Sequence, residues 1–424
     1  MTAHAHALDG DDHRRLAGAW GDRPMSDACS LFLLVAALMT IGVLMVYSAS
    51  RTAHAAGESP YFLKELMFVP VALATFVVGM VIPYRAYNRW WVAVPTLAVS
   101  VGLLVLVLVI GGGRARRWLY LPMGLRFQPS ELAKFALVIF LAWFFSRDDA
   151  RPVRFGRRVV EWFRRRLPAN PRGFWTGFVP AILLIGVVCG LIVKEDFGTG
   201  ALVGAVALVL CLVAGWRWWY PALVVVPGLV GFYFAVLQVP YRLERLVVWL
   251  DPWKYYDGPG WHVCQSLMAL GRGGLFGVGL GAGIQKLYIP ENETDFIFAV
   301  LCEEMGILGG ILVIGLFGVL IWRGGKVVRL ASDRFGFLLA AGIVLTIGLQ
   351  AVLNIGVVTS ALPAKGISLP FISYGGSGLV MMSLAAGMLA SVARRCRDGR
   401  AAGATAGGRP APLVSLGRGR AKGT

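Results

Sequence analysis

Ten separate apolar runs constrain this chain more than anything else in it, because each is close to the ~20 residues that a helix needs to cross a bilayer's hydrocarbon. They lie at 27 to 48, 61 to 82, 91 to 110, 129 to 146, 174 to 193, 198 to 215, 219 to 238, 296 to 322, 336 to 358 and 370 to 392. In lipid a segment of this length must satisfy its own backbone hydrogen bonds, so each reads as an α-helix. Composition agrees. The 424 residues are 57% hydrophobic and 15% charged, with a mean hydropathy of +0.68, whereas a soluble domain carries about 25% charged residues. The expected fold class is all-α, a polytopic membrane protein of about ten transmembrane helices with a long external loop between the seventh and eighth. Residues 1–26 are charged and hold no apolar core, so no cleavable signal peptide is expected and the first span is the anchor. The expected organisation is a cytoplasmic tail at 1–26, a transmembrane domain at 27–395 and a disordered basic cytoplasmic tail at 396–424.

A formal net charge of +18 raises the question of nucleic acid, and its distribution answers it. With the N-terminus inside, most of the 41 Lys and Arg fall in segments facing the cytoplasm, including the run from Arg147 to Arg172 and the one from Arg394 to Lys422. That asymmetry is the positive-inside pattern of a membrane protein, with both termini cytoplasmic, and it excludes a nucleic-acid role. Phe155 to Leu167 reads as a basic amphipathic helix lying on anionic headgroups. Six cysteines, with Cys264 alone in an external loop, form no disulfide framework. The five histidines assemble neither a zinc cluster nor a Ser-His-Asp set. No ligand cluster for a metal is visible, and a divalent metal is left open as a cofactor.

Polar residues in such a chain need a reason. The stretch from Arg272 to Gly306 combines a Gly-rich run with Glu291, Glu293, Thr294 and Asp295, after which an apolar helix begins at Phe296. Asp295 therefore sits where water meets hydrocarbon and is the candidate for chemistry, reached over a floor of glycine; the alternative is that Thr294 and Asp295 merely cap the helix. The external loop after the third span holds Arg114, Arg116, Arg117 and Arg126, which suit phosphate oxygens or outer headgroups. It runs into Pro129, a helix start signal, and then Glu131 and Lys134, which share one helix face at i and i+3 and must pair or face a wet cavity. Lys194 to Gly200 is a polar knot at the same face, and Glu303 and Glu304 lie two turns into the eighth span. The loop from Val239 to Thr294 is too long to be a plain connection, and its Trp, Gly and ionic content argues for order. Its GVGLGAG has no preceding strand, which rules out a dinucleotide site. Leu362 to Ser377, with Pro breaks and Gly pairs, reads as irregular backbone lining a cavity.

Taken together, Gln128-Pro-Ser-Glu-Leu-Ala-Lys134, Gln285-Lys-Leu with Pro290-Glu and Thr294-Asp-Phe-Ile-Phe-Ala299, Glu303-Glu-Met-Gly306 and Leu369-Pro-Phe-Ile-Ser-Tyr-Gly-Gly-Ser377 resemble the SEDS family of FtsW, RodA and SpoVE. The likeness runs from about residue 30 to 395, and QKLYIPE preceded by SLMALGRGG is closer to the FtsW branch. The resemblance implies a peptidoglycan glycosyltransferase of the cytoplasmic (inner) membrane that polymerises lipid II at the outer face during septal synthesis. Implied partners are a class B penicillin-binding protein, division proteins and membrane lipids. Asp295 matches the family's essential aspartate, and Trp118, Glu131 and Lys134 match residues of its central cavity. Two departures stand out: Glu293 where the family usually has His, and Lys194-Glu-Asp196 where it usually has Gln-Pro-Asp. Glu293 is expected to raise the Asp295 pKa by like-charge repulsion.

The implied reaction joins a sugar 4-hydroxyl to an anomeric carbon with inversion and loss of undecaprenyl diphosphate. Glycosidases need a second carboxyl to protonate a poor leaving group; a diphosphate leaves without one. One carboxylate then suffices as general base, with cations to stabilise the departing charge. Asp295 is the expected base, and Arg117, Trp118, Glu131, Lys134, Asp196, Lys365 and Ser377 are the expected substrate and diphosphate residues. Broken helices and buried charges also suit a flippase for a lipid-linked sugar, and a recruiting scaffold would tolerate neutral substitutions at Asp295 and Glu131.

Overall fold

The computed structural model describes residues 27–50, 60–111, 117–120, 126–147, 174–217 and 219–406. Arg114, Arg116, the amphipathic segment Phe155 to Leu167 and residues 1–26 and 407–424 lie outside the described residues. The described chain is a bundle of α-helices: α1 (Asp27–Ser50), α2 (Pro60–Val81), α3 (Trp90–Ile110), α4 (Pro129–Ser146), α5 (Val179–Glu195), α6 (Phe197–Val213), α7 (Tyr220–Phe232), α8 (Pro240–Leu250), α9 (Trp261–Gly273), α10 (Ile297–Leu330), α11 (Arg334–Val358) and α12 (Gly376–Ala406). A two-stranded antiparallel hairpin, β1 (Leu119–Tyr120) with β2 (Arg126–Phe127), precedes α4.

Eight of these helices, some with a flanking turn, are long and apolar enough to cross a membrane. The expected sixth and seventh spans are shorter: α6 has 17 residues, and α7 has 13 before a π-helical turn, Tyr233–Leu237, prolongs it. The expected tenth span begins late. Within residues 370–375 the apolar Phe371 and Ile372 are buried in protein, where Gly42 of α1 packs against their backbone. Pro370 and the positive φ of Phe371 keep this stretch out of helix. At its other end α12 continues past Cys396, the expected start of the tail, to Ala406.

Close backbone approach organises the bundle. A Cβ at Gly387 of α12 would lie 2.1 Å from the Phe76 carbonyl oxygen of α2, and one at Gly79 would lie 2.5 Å from the Leu384 carbonyl oxygen. Small residues of this kind let two membrane helices pack where no hydrophobic driving force separates protein from lipid. α4 is enclosed on nearly every side, so Glu131 and Lys134 are interior groups. α7 stands at the rim, with Val226 and Leu229 exposed as lipid-facing residues are.

The long loop is ordered as expected, and holds α8 and α9. Its glycine run, however, does not floor an approach to Asp295. α10 is broken at Gly306 (φ 70°, ψ −171°), and the run fills that break: Val278 N–H donates to the Glu303 carbonyl at 3.0 Å, Gly279 N–H to the Glu304 carbonyl at 3.1 Å, and Ile307 N–H to the Gly274 carbonyl at 2.9 Å. A Cβ at Gly277 would sit 2.1 Å from the Glu304 oxygen, so glycine is required there for contact with the helix itself. The two glutamates below the break are buried and engaged. Glu304 pairs with Lys286 at 2.7 Å and accepts the Ser48 hydroxyl at 2.6 Å, while Glu303 accepts Ile284 N–H at 2.8 Å. At the opposite end of α1, Asp27 meets Lys326 at 2.9 Å and Arg323 at 3.3 Å. Both ends of α1 are thus fastened to α10.

Candidate active site

A cavity of ≈ 360 Å³ opens at the end of the bundle where α2, α4 and α6 meet the hairpin, the residues before α10 and the 366–378 segment. Most of the candidate residues line it: Asp295, Arg117, Trp118, Glu131, Lys134, Asp196 and Ser377. Lys365 does not. Its ammonium lies 4.1 Å over the Phe197 ring, and its pKa is lowered by burial and by Arg245 and Arg242, with Asp196 opposing.

Asp295 is placed by its backbone. Its N–H donates to the Glu291 carbonyl at 3.2 Å, and its own carbonyl accepts the Asn354 amide at 2.8 Å. Neighbouring Thr294 and Glu293 are tied to the 366–378 segment, through Ser373 Oγ at 2.6 Å and Tyr374 N–H at 2.9 Å. The carboxyl itself rests on Gly366, where a Cβ would come 2.7 Å from Oδ2. The capping alternative fails: Phe296 occupies the N-cap position of α10 and no side chain caps it. Burial lifts the Asp295 pKa to about 7; Arg117 and Arg245 oppose this, while Glu291 and Asp196 add to it. The shift expected from Glu293 is therefore present but arises elsewhere, from desolvation first and from the acids that face the carboxyl.

Around it stand four cations, two arginines and two lysines. Arg117 reaches Asp196 at 3.9 Å and lies 6.0 Å from the Trp118 ring centroid, and Arg126 sits over Tyr120 at 5.5 Å. The hairpin register, Leu119 opposite Phe127 and Tyr120 opposite Arg126, holds these side chains beside the cavity. Asp196 is also the N-cap of α6, accepting Thr199 N–H at 3.1 Å and its hydroxyl at 2.8 Å. Lys134 pairs with Glu131 at 2.8 Å and directs a hydrogen bond to Gln350 Oε1 at 2.9 Å. Ser377 Oγ accepts Gln128 N–H at 3.4 Å and joins the start of α4 to that of α12. Lys64 of α2 completes the basic lining. Among the described residues no group of three or more His, Cys, Asp or Glu gathers as metal ligands do.

The sequence reading passed over Lys64, Gln350 and Asn354. Two amides spaced four apart in an apolar helix are the signal for the last two, since membrane interiors hold polar side chains only where they are bonded.

The sequence model of the FtsW/RodA/SpoVE family, described as cell cycle protein, matches residues 29–398. The chain belongs to the FtsW/RodA/SpoVE family. Among FtsW/RodA/SpoVE relatives, a probable peptidoglycan glycosyltransferase FtsW of Geobacter metallireducens is 39% identical over 376 residues, covering 87% of this chain and 94% of the relative. Stage V sporulation protein E of Bacillus subtilis is 38% identical, covering 87% and 97%. The fold is similar to a structure described as structural coordination of polymerization and crosslinking by a peptidoglycan synthase complex, with TM-score 0.67, 27% identity and coverage of 86% and 97%. It is also similar to the crystal structure of the rod shape determining protein RodA of Thermus thermophilus, with TM-score 0.59, 25% identity and coverage of 89% and 98%. A multi-pass, all-helical membrane architecture is common to this FtsW/RodA/SpoVE protein and its structural neighbours.

Proposed function

We propose that this chain is a peptidoglycan glycosyltransferase that polymerises lipid II, with Asp295 as general base. The observation that carries the reading is a single carboxyl with a pKa lifted to about 7, in a cavity whose other charged walls include Arg117, Arg126, Lys134 and Lys64. A base is most effective when its pKa lies near the working pH. Asp295 takes the proton of the acceptor 4-hydroxyl as that oxygen bonds to the donor's anomeric carbon. The bond to the diphosphate breaks on the opposite face, giving inversion, and the released charge is met by the cations. Glu131 and Gln350 hold Lys134 among them.

Two further parts of the reading rest on other support. The Lys and Arg asymmetry supports a reading with both termini in the cytoplasm and the cavity at the outer face of the cytoplasmic membrane. The likeness to a synthase complex, with the family resemblance, favours a class B penicillin-binding protein as partner and a role in septal synthesis. The test is polymerisation of lipid II by the purified protein in detergent, with Asp295→Asn alongside. Polymer from the parent and none from Asp295→Asn is the expected result. A flippase would make no polymer, and a variant that still made glycan strands would remove the base assignment.

A further inference from the structure

We infer that Gln350 and Asn354, one turn apart on α11, are positioning residues that clamp the Asp295 main chain and the Lys134 ammonium to one common segment, Gly366 to Ser368. The inference rests on the reading of Asp295 as the base and adds how that base is held.

Both amides are buried, with 3% and 1% of their surfaces exposed, in a helix otherwise apolar enough to cross the membrane. Polar groups so placed are costly unless bonded, and these bind three separate parts of the chain. Asn354 Nδ2 donates to the Asp295 carbonyl at 2.8 Å and to the Ile367 carbonyl at 2.7 Å. Two carbonyls on one atom fix that atom as the NH2 group. Gln350 Oε1 accepts Lys134 Nζ at 2.9 Å, while its Nε2 donates to the Ser368 carbonyl at 2.9 Å. Immediately before those two carbonyls is Gly366, on which the Asp295 carboxyl rests. Base and cation are therefore referred to the same short strand by side chains spaced i and i+4, which lie on one helix face. If Asn354 lets go, the Asp295 main chain and residue 367 are free to part, and the half-buried carboxyl gains further contact with the water of the cavity it lines.

That opening has a signature that loss of fold does not. The charges facing Asp295 are Arg117 beside the hairpin, Asp196 at the start of α6, Glu291 in its own loop and Arg245 of α8, and none of them is bonded to the residue 354 side chain, whose partners are the Asp295 and Ile367 carbonyls. Removing the clamp thus lowers the Asp295 pKa mainly by hydration, and the rise of rate with pH begins earlier.

The experiment compares the full-length purified parent, Asn354→Ala, Asn354→Ser, Gln350→Met and Asp295→Asn in lipid II polymerisation over pH 5 to 9, with melting temperatures. For Asn354→Ala the expected result is a kcat reduced about 10- to 100-fold, the scale of a ~1 Å misplacement. Its KM stays within about 3-fold and its half-maximal pH is lower than the parent's. Gln350→Met is expected to raise KM instead, since Lys134 then loses its place at the diphosphate. Should Asn354→Ala fail to fold, Asn354→Ser, which keeps one donor, decides on the same readouts. A parental kcat and pH profile overturns the inference, as does a kcat loss with no pH shift. Either result leaves the functional reading standing provided the parent polymerises and Asp295→Asn does not; a parent that makes no polymer sinks that reading instead.

Discussion

Asp295 is a carboxyl whose surroundings disfavour its charge, and this has consequences of opposite sign for activity and stability. As a base it must be ionised, so polymerisation should rise with pH to half its plateau near pH 7. Its folded pKa of about 7 lies above the ordinary value of 3.8. The protein therefore bears no penalty below pH 3.8, and one that grows between pH 3.8 and about 7 and is complete above it. Asp295→Asn should melt higher than the parent at pH 8 and level with it at pH 4; an equal difference at both would show that burial is not the cause. Gly366→Ala tests the seat of the same group. The new Cβ would meet Oδ2 at 2.7 Å, so kcat should fall at least about tenfold, the order of cost for a displaced reacting group, with little change in melting temperature. The residues of the site were legible wherever a charge stood against an apolar background, as with Glu131, Lys134 and Asp295. Lys365, expected at the diphosphates, does not line the cavity, and its ammonium lies over the Phe197 ring, a partner that only folding sets. Gln350 and Asn354 carry no charge, and their partners, the Lys134 ammonium and main-chain carbonyls, lie well away along the chain.

Among elements, the broken helix α10 depends on long-range partners. Lys286 and Glu304 are 1% and 0% exposed at the side chain, 2.7 Å apart. Removing one member of such a pair strands the other charge and costs about 3–5 kcal/mol, whereas replacing both together is far milder. Lys286→Met should accordingly lower the melting temperature in detergent sharply, and Lys286→Met with Glu304→Gln should recover much of the loss. A double variant no better than the single would mean that the ion pair is not what the loop relies on. The long apolar helices were legible because a bilayer imposes their length, and the boundaries at 60, 90, 129 and 334 fall within about two residues of the runs. The glycine run was read as an approach to the site because its local pattern says only that backbone comes close. What it approaches, the Glu303 and Glu304 carbonyls, is set by tertiary structure. The start of α12 was placed too early for a related reason: hydropathy does not distinguish burial in protein from burial in lipid.

For the whole molecule, sidedness is the property most open to direct measurement. In a cysteine-free background, Glu244→Cys on α8 and Ser332→Cys between α10 and α11, both exposed, should respond differently to a membrane-impermeant maleimide. Labelling of Glu244→Cys alone in intact spheroplasts is expected; the reverse pattern would put the cavity in the cytoplasm. One dimension of the fold bears on how substrate arrives. α6, whose cap residue Asp196 forms part of the cavity wall, has 17 residues and is about 26 Å long, less than the ~30 Å of an average hydrocarbon layer. Its outward stripe of Ala201, Ala205 and Val209 is exposed, so the surrounding lipid must match that length. The membrane is expected to dimple there, drawing headgroups down toward Arg117 and shortening a diphosphate's descent. Reconstitution in short-acyl vesicles should then support faster chain growth than in long-acyl ones, a dependence on lipid thickness written into one undersized helix.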